Sequence, residues 1–214
     1  MTRTLYRRPG VFSRCVVLGC LVAGIAAAPL RAGEQARQLD GLPVKPQVEK
    51  PQASKKELLS DLFSRLREAP DQDSAKLVAE AIDKIWMRSG SDTVDLLMTR
   101  ALRMLREKDF EVAIDILDSV VAIAPQYPEG WNQRATVFFL KRDFRRSLDD
   151  LRHVLALEPR HFNALNGLGL IMQEIGDKKA ALKAYRHVLK LYPQLSETRQ
   201  LEQELAREVE GQGI

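Results

Sequence analysis

The sequence predicts an all-α fold in which helical hairpins stack side by side. Three prolines and three aspartates each recur at an interval of 34 residues: Pro125, Pro159, Pro193, Asp109, Asp143 and Asp177. Residues 152–159 (RHVLALEP) return as residues 186–193 (RHVLKLYP). A fixed period of this length is typical of repeats that each hold two helices and bury their apolar faces against one another. We therefore expect a helical solenoid, whose usual work is to hold other molecules.

The first 32 residues have the features of an export signal. Arginines up to Arg14 precede an apolar run over residues 15–28, and Ala32 supplies a small residue before Gly33. The run is shorter than the roughly 20 residues that span a bilayer as a helix. We expect cleavage after Ala32 and a periplasmic protein. An uncleaved anchor and lipidation at Cys20 are the alternatives left open.

Loss of residues 1–32 would change the charge balance of the chain. The segment holds five arginines and no acidic residue, so 28 basic and 29 acidic residues would remain. The basic character therefore gives no argument for nucleic-acid binding. Cys15 and Cys20 would leave with the segment, which excludes a disulfide from the remainder. Residues 33–53 contain three prolines and no aromatic residue, which predicts an extended spacer or a short partner-binding tail.

Residues 54–93 predict a degenerate helical hairpin. Apolar residues recur at helical spacing up to Pro70 and again between Asp71 and Gly90. A terminal repeat exposes its apolar stacking face unless something covers it. We therefore expect this hairpin to cover the open N-terminal end of the array.

Three regular hairpins are predicted next, at residues 94–127, 128–161 and 162–195. The three 34-spaced aspartates should accept hydrogen bonds from the free N–H groups that open each second helix. Residues 196–210 place Leu201, Leu205 and Val209 on one side and predict a capping helix. Residues 211–214 should fray.

The hairpins resemble the tetratricopeptide repeat (TPR) family, in which large, small and apolar residues alternate along both helices before a terminal proline. The matching residues are Leu97, Ala101, Met104, Ala113, Leu117, Val120 and Pro125 in the first hairpin; Trp131, Ala135, Phe138, Ser147, Leu151, Val154 and Pro159 in the second; and Leu165, Gly169, Met172, Ala181, Tyr185, Val188 and Pro193 in the third. The small residues imply close helix contacts. Arg100 and Arg134 depart from a leucine that is common in the family, which should weaken individual repeats.

The sequence carries no motif of catalysis. It lacks a His-Glu-x-x-His zinc motif and a glycine-rich phosphate loop. His153 and His187 lie one repeat apart, so we expect them to be exposed and structural; a bridging metal site is the less favoured alternative. We expect a protein that is not an enzyme and that uses no cofactor and no metal.

A basic cluster follows the turn of the second hairpin: Lys141, Arg142, Arg145, Arg146 and Arg152. Asp143, Asp149 and Asp150 interrupt it, which favours a solvated helix face with local ion pairs. The alternative is peripheral contact with an anionic envelope surface.

The resemblance also implies a binding groove along the first helices of the hairpins. By repeat position it nominates Met98, Leu102, Asn132, Gln133, Thr136, Phe139, Asn163, Asn166, Leu170 and Gln173. Amides would bond the backbone of an extended peptide, and the apolar members would offer pockets. The carboxylate clamp of chaperone-binding members is absent, because Met98, Leu102 and Gly167 replace its charged and polar residues.

These observations predict a binding module in the periplasm of a Gram-negative bacterium. Its partner would be a protein or an extended peptide, and its role would be to support envelope assembly or integrity. An assembly factor for exported enzymes or cytochromes is one alternative, and a self-associating scaffold is another. The oligomeric state stays open.

Overall fold

Residues 54–211 fold into nine α-helices, with no strand among them. The structure is a computed structural model that describes these residues; the predicted signal (1–32), the spacer (33–53) and residues 212–214 of the predicted tail lie outside them. The helices are α1 (Lys55–Glu68), α2 (Gln72–Trp86), α3 (Asp92–Arg106), α4 (Phe110–Ile123), α5 (Pro128–Leu140), α6 (Phe144–Leu157), α7 (Phe162–Glu174), α8 (Lys178–Leu191) and α9 (Ser196–Glu210). The predicted all-α class is confirmed. No helix in residues 54–211 has both the length and the apolar character that a membrane crossing requires.

Helices α3 to α8 form three hairpins that lie side by side. The pairs α3–α4, α5–α6 and α7–α8 make the most extensive contacts, and α4–α5 and α6–α7 join consecutive hairpins. Each hairpin turn ends in an aspartate that caps the second helix, as predicted. The aspartate oxygens accept from backbone N–H groups: Asp109 from Val112 at 3.3 Å, Asp143 from Arg146 at 3.1 Å and Asp177 from Ala180 at 3.0 Å.

Small residues allow the two helices of a hairpin to approach closely. A Cβ atom built on Gly169 of α7 would lie 2.7 Å from Cδ1 of Tyr185 on α8, and nearer still to Cε1. In the second hairpin, the hydroxyl of Ser147 donates to the backbone oxygen of Ala135 at 2.7 Å, and both residues are buried. Contacts this close are possible only with small residues, as predicted for these positions.

The hairpin of α1 and α2, here called the edge hairpin, does not cover the N-terminal end of the array. Its apolar residues share one core with the third hairpin: Leu59, Phe63, Leu66, Ala69, Ala75, Ala79, Ile82 and Trp86 pack with Phe162, Leu165, Val188, Leu191 and Tyr192. The prediction that it covers α3 is therefore wrong. The physical reason is that Phe63 and Trp86 of the edge hairpin pack their rings against Phe162 of the third hairpin, which leaves Arg100 and Arg103 of α3 exposed.

The edge hairpin runs along the side of the array on which α5, α7 and α9 begin. The residues before these helices are Tyr127, His161 and Leu195, again 34 residues apart. Tyr127 donates its hydroxyl to the backbone oxygen of Met87 at 2.8 Å, and the His161 ring stacks on Trp86 with centroids 4.0 Å apart. Leu195 packs against the core that the edge hairpin shares with the third hairpin. The same repeat position therefore packs against the edge hairpin, or against the core it shares with the third hairpin, in all three cases.

Candidate functional site

A groove opens between α5 and α7, the first helices of the second and third hairpins. Its cavity has a volume of about 360 Å³. Six of the ten predicted groove residues line it: Asn132, Thr136, Phe139, Asn163, Asn166 and Leu170. Its apolar wall is completed by Leu140, Leu151 and Ile171. We call this cavity and its lining the groove.

The other four predicted residues lie elsewhere. Met98 is only 1% exposed and packs in the core of the first hairpin, so its assignment to an open groove is wrong. Gln133 donates to a carboxylate oxygen of Glu129 at 2.5 Å, and Gln173 accepts from the Tyr185 hydroxyl at 3.0 Å. Leu102 is half-buried and does not line the cavity.

The amides of the groove are held by neighbouring side chains. Asn132 and Asn163 donate through Nδ2 to Glu129 and Asp83, each at 3.1 Å, while Oδ1 of Asn166 accepts from the Thr198 hydroxyl at 3.0 Å. Within the described residues, no hydrogen bond uses Oδ1 of Asn132, Oδ1 of Asn163 or Nδ2 of Asn166. The groove therefore offers acceptors and a donor, which is the complement of a peptide backbone.

A buried polar cluster joins the groove to the edge hairpin. Glu129 is 4% exposed and His161 is fully buried, and the His161 Nε2 atom lies 3.0 Å from the Glu129 Oε2 atom. The Nδ1 atom of His161 accepts from the backbone N–H of Ala164. The imidazole is therefore the neutral tautomer with its proton on Nε2, which donates to the Glu129 carboxylate.

Asp83 of α2 lies at the margin of the groove, where it binds Asn163. The pKa of the Asp83 carboxyl is raised to about 6, mainly by burial and next by the negative charge of Glu129. Sequence patterns did not reveal Asp83, Glu129 or His161 as site residues. One sequence feature could have indicated this site. Large side chains, those of Tyr127, His161 and Leu195, occupy the turns before α5, α7 and α9, where they would be exposed to water unless another element covered them.

Comparisons with known proteins agree with this architecture. No family model matches the chain. A TPR repeat-containing protein of Rhizobium etli is 42% identical over 88 residues, which are 41% of this chain and 43% of that protein. The solved structure of the first TPR of Spaghetti, bound to an HSP90 peptide, superposes with a TM-score of 0.53 at 20% identity, over 55% of this chain and 93% of the other. The described residues have the fold of a TPR solenoid, and part of the chain is similar in sequence to a TPR repeat-containing protein.

Another solved structure covers more of the chain. The crystal structure of the MamA protein matches 75% of this chain and 85% of its own length, with a TM-score of 0.51 and 20% identity. This likeness shows the fold of the TPR array. The Rhizobium etli relative is matched over less than half of its length, so this chain corresponds to one part of it.

Arg134 shows how this TPR array accommodates its departure from the usual leucine. Its guanidinium makes two hydrogen bonds to Asp150 of α6, at 2.8 and 2.7 Å, and one to Asp118 of α4 at 2.6 Å. The hydrogen bonds to Asp150 raise the pKa of Arg134 above its usual range. Because the bridge joins three helices, the substitution replaces apolar contact with a charged link between repeats.

The predicted basic cluster is largely ion-paired. Four of its five members contact carboxylates: Lys141 contacts Glu111, Arg142 contacts Glu174 at 2.9 Å, Arg146 contacts Asp143 at 2.6 Å, and Arg152 contacts Asp149 at 2.7 Å. Arg145 is exposed. These pairs are those of a solvated helix face; contact with an anionic surface stays a prediction.

The two equivalent histidines do not approach a metal-binding arrangement. His153 and His187 are both exposed, and His153 stacks on Trp131 with centroids 4.3 Å apart. Within residues 54–211, no group of three or more histidine, cysteine or acidic side chains has the geometry to hold a metal ion.

Proposed function

We propose that this TPR protein is a non-enzymatic module that binds an extended peptide segment of another protein in its groove. The observation that carries the proposal is the convergence of Phe139 and Leu170 with three asparagines on one cavity. Apolar pockets beside a few fixed hydrogen-bonding groups are the usual requirements of an extended peptide. The first TPR of Spaghetti, which has the same fold, holds an HSP90 peptide in its solved structure, and this supports the proposal.

The proposal extends to the location and process predicted from the sequence. The protein would be exported to the periplasm and would support assembly or integrity of the cell envelope. The basic, apolar and small-residue order of residues 1–32 supports export. Fractionation of cells that express the full chain tests this: the protein should appear, shortened at its N-terminus, in the periplasmic fraction. Full-length protein in the cytosol would contradict export.

The binding proposal is tested by affinity capture from a periplasmic extract of the source organism. The bait is the wild-type protein, compared with Phe139→Ala and Asn166→Ala, which alter the groove, and with Lys179→Ala, an exposed residue of α8. We expect a specific partner that the wild type and Lys179→Ala retain and that both groove variants lose. Partners that bind all four proteins equally would contradict the groove as the binding surface.

A further inference from the structure

The margin of the groove carries a carboxylate that forms no ion pair with a described residue. Asp83 accepts a hydrogen bond from Asn163, which lines the groove, and no ion pair within the described residues involves Asp83. The edge hairpin places it there, because α2 crosses the start of α7. Of the described residues that line the groove, none is a lysine or an arginine.

Burial and two neighbouring carboxylates make the negative charge of Asp83 costly. Burial, Glu129 and Glu80 raise the pKa of the Asp83 carboxyl, and these effects outweigh His161 and Asn163, which lower it. The negative charge of Asp83 in turn helps to raise the pKa of Tyr192 in the adjoining core. Among the described residues, only Asn163 donates a hydrogen bond to Asp83. A half-buried carboxylate beside a second carboxylate gains free energy when a cation comes into contact with it.

We propose that the groove selects peptides that carry a positive charge, and that Asp83 is the residue that recognises this charge. The inference rests on the proposed peptide-binding function and names its ligand class: a segment with a lysine or arginine beside apolar residues. An acidic peptide, such as one ending in EEVD, would meet Asp83, and the part of the groove lining that the structure describes holds no lysine or arginine to bind its carboxylates.

The geometry also sets a spacing within the peptide. Asn163, which holds Asp83, and Leu170 are seven residues apart on α7, which corresponds to about 10 Å along a helix. An extended chain covers this distance in about three residues. The preferred segment therefore has an apolar residue about three positions from its lysine or arginine.

A random ten-residue peptide display library tests both proposals at once. The library is selected on the wild type, on Thr136→Trp, which fills the groove, and on Asp83→Asn, which keeps a hydrogen-bonding group without the charge. Asp73→Asn is the matched control, since it removes the same charge from an exposed position on the same helix. Circular dichroism confirms that each variant is folded.

We expect peptides that bind the wild type and Asp73→Asn, are lost on Thr136→Trp, and are enriched in lysine and arginine relative to the unselected library. On Asp83→Asn this enrichment should disappear while groove-dependent peptides remain. Equal basic content on the wild type and Asp83→Asn would overturn the role of Asp83 and leave peptide binding intact. If no peptide depended on the groove, the proposed function itself would fail.

A selected peptide then gives a second readout. Its affinity for the wild type should fall about tenfold between pH 7.5 and pH 5, because a neutral Asp83 no longer attracts the cation; tenfold corresponds to about 1.4 kcal/mol. The affinity for Asp83→Asn should change much less over the same interval. Equal pH dependence in the two proteins would assign the effect to another titrating group and overturn the proposal.

Discussion

At the scale of single residues, Asp83 links binding to stability through its ionisation. Its pKa is about 6 in the folded protein and near 4 in an unfolded chain, so folding favours the protonated form. The contribution of Asp83 to stability is therefore fully present below about pH 4 and is lost as the pH rises through 6.

Replacement of Asp83 by asparagine should remove this loss. We expect Asp83→Asn to be more stable than the wild type at pH 7.5 by about 1–2 kcal/mol, allowing for the partial exposure of the side chain, and the difference should vanish near pH 4. Urea unfolding at several pH values measures it. A constant difference between pH 4 and pH 8 would show that Asp83 does not titrate in this interval.

Gly169 tests the closest helix contact of the array. A methyl group there meets the buried ring of Tyr185, whose hydroxyl is held by Gln173, so the ring must move. We expect Gly169→Ala to cost about 1–3 kcal/mol despite the better helix propensity of alanine. Gly167→Ala is the matched control on the same helix, since its Cβ would lie 3.7 Å from Leu151. Thermal unfolding should show a lower midpoint for the first variant only.

Residue positions in the groove were predictable where the repeat register alone decides them. Thr136 and Leu170 follow from the helix period and the family geometry. Met98 was assigned wrongly because the repeat register gives the position of a residue on its helix. It does not show whether other side chains bury that position. Asp83 was not predictable, because its place depends on the docking of a hairpin that has no repeat counterpart.

At the scale of elements, the edge hairpin is the feature that the 34-residue period does not describe. Its helices were evident from their apolar spacing, and in the structure Ser54 and Asp71 cap them. Its docking partner was not evident, because one apolar stripe fits many others. Aromatic packing determines where the edge hairpin docks: the rings of Phe63 and Trp86 contact the ring of Phe162, with centroids 6.4 and 5.1 Å apart, respectively.

A double-mutant cycle tests where the edge hairpin docks. Phe63→Leu and Phe162→Leu remove the edge-to-face contact between α1 and α7 while keeping apolar bulk. We expect a coupling energy of about 0.5–1.5 kcal/mol between them. The control cycle pairs Phe63→Leu with Val94→Ala of α3, which packs in a different core. Coupling to Val94 and none to Phe162 would place the hairpin at the end of the array after all.

At the scale of the whole molecule, the edge hairpin joins parts of the array that a simple solenoid leaves independent. In a linear array each repeat contacts only its neighbours, so a local change weakens mainly the adjacent repeats. Here α2 and Met87, the residue directly after it, contact the array at three places. Met87 accepts from Tyr127 before α5, Trp86 stacks on His161 before α7, and the Gln72 side chain donates to Ser196 at the start of α9 at 3.1 Å.

Hydrogen exchange in the native state should therefore report a change in α2 at a great distance along the chain. Trp86→Ala opens the core between the edge hairpin and the third hairpin, at a cost of about 3–5 kcal/mol. We expect amides of α7 and α8 to lose at least as much protection as those of α3 and α4, because local opening follows the packing and not the chain order. Leu77→Ala, at a side chain that is 69% exposed on the same helix, should leave protection unchanged. Loss confined to α1 to α4 would instead mean that stability passes along the array from repeat to repeat, with the edge hairpin acting only on its chain neighbours.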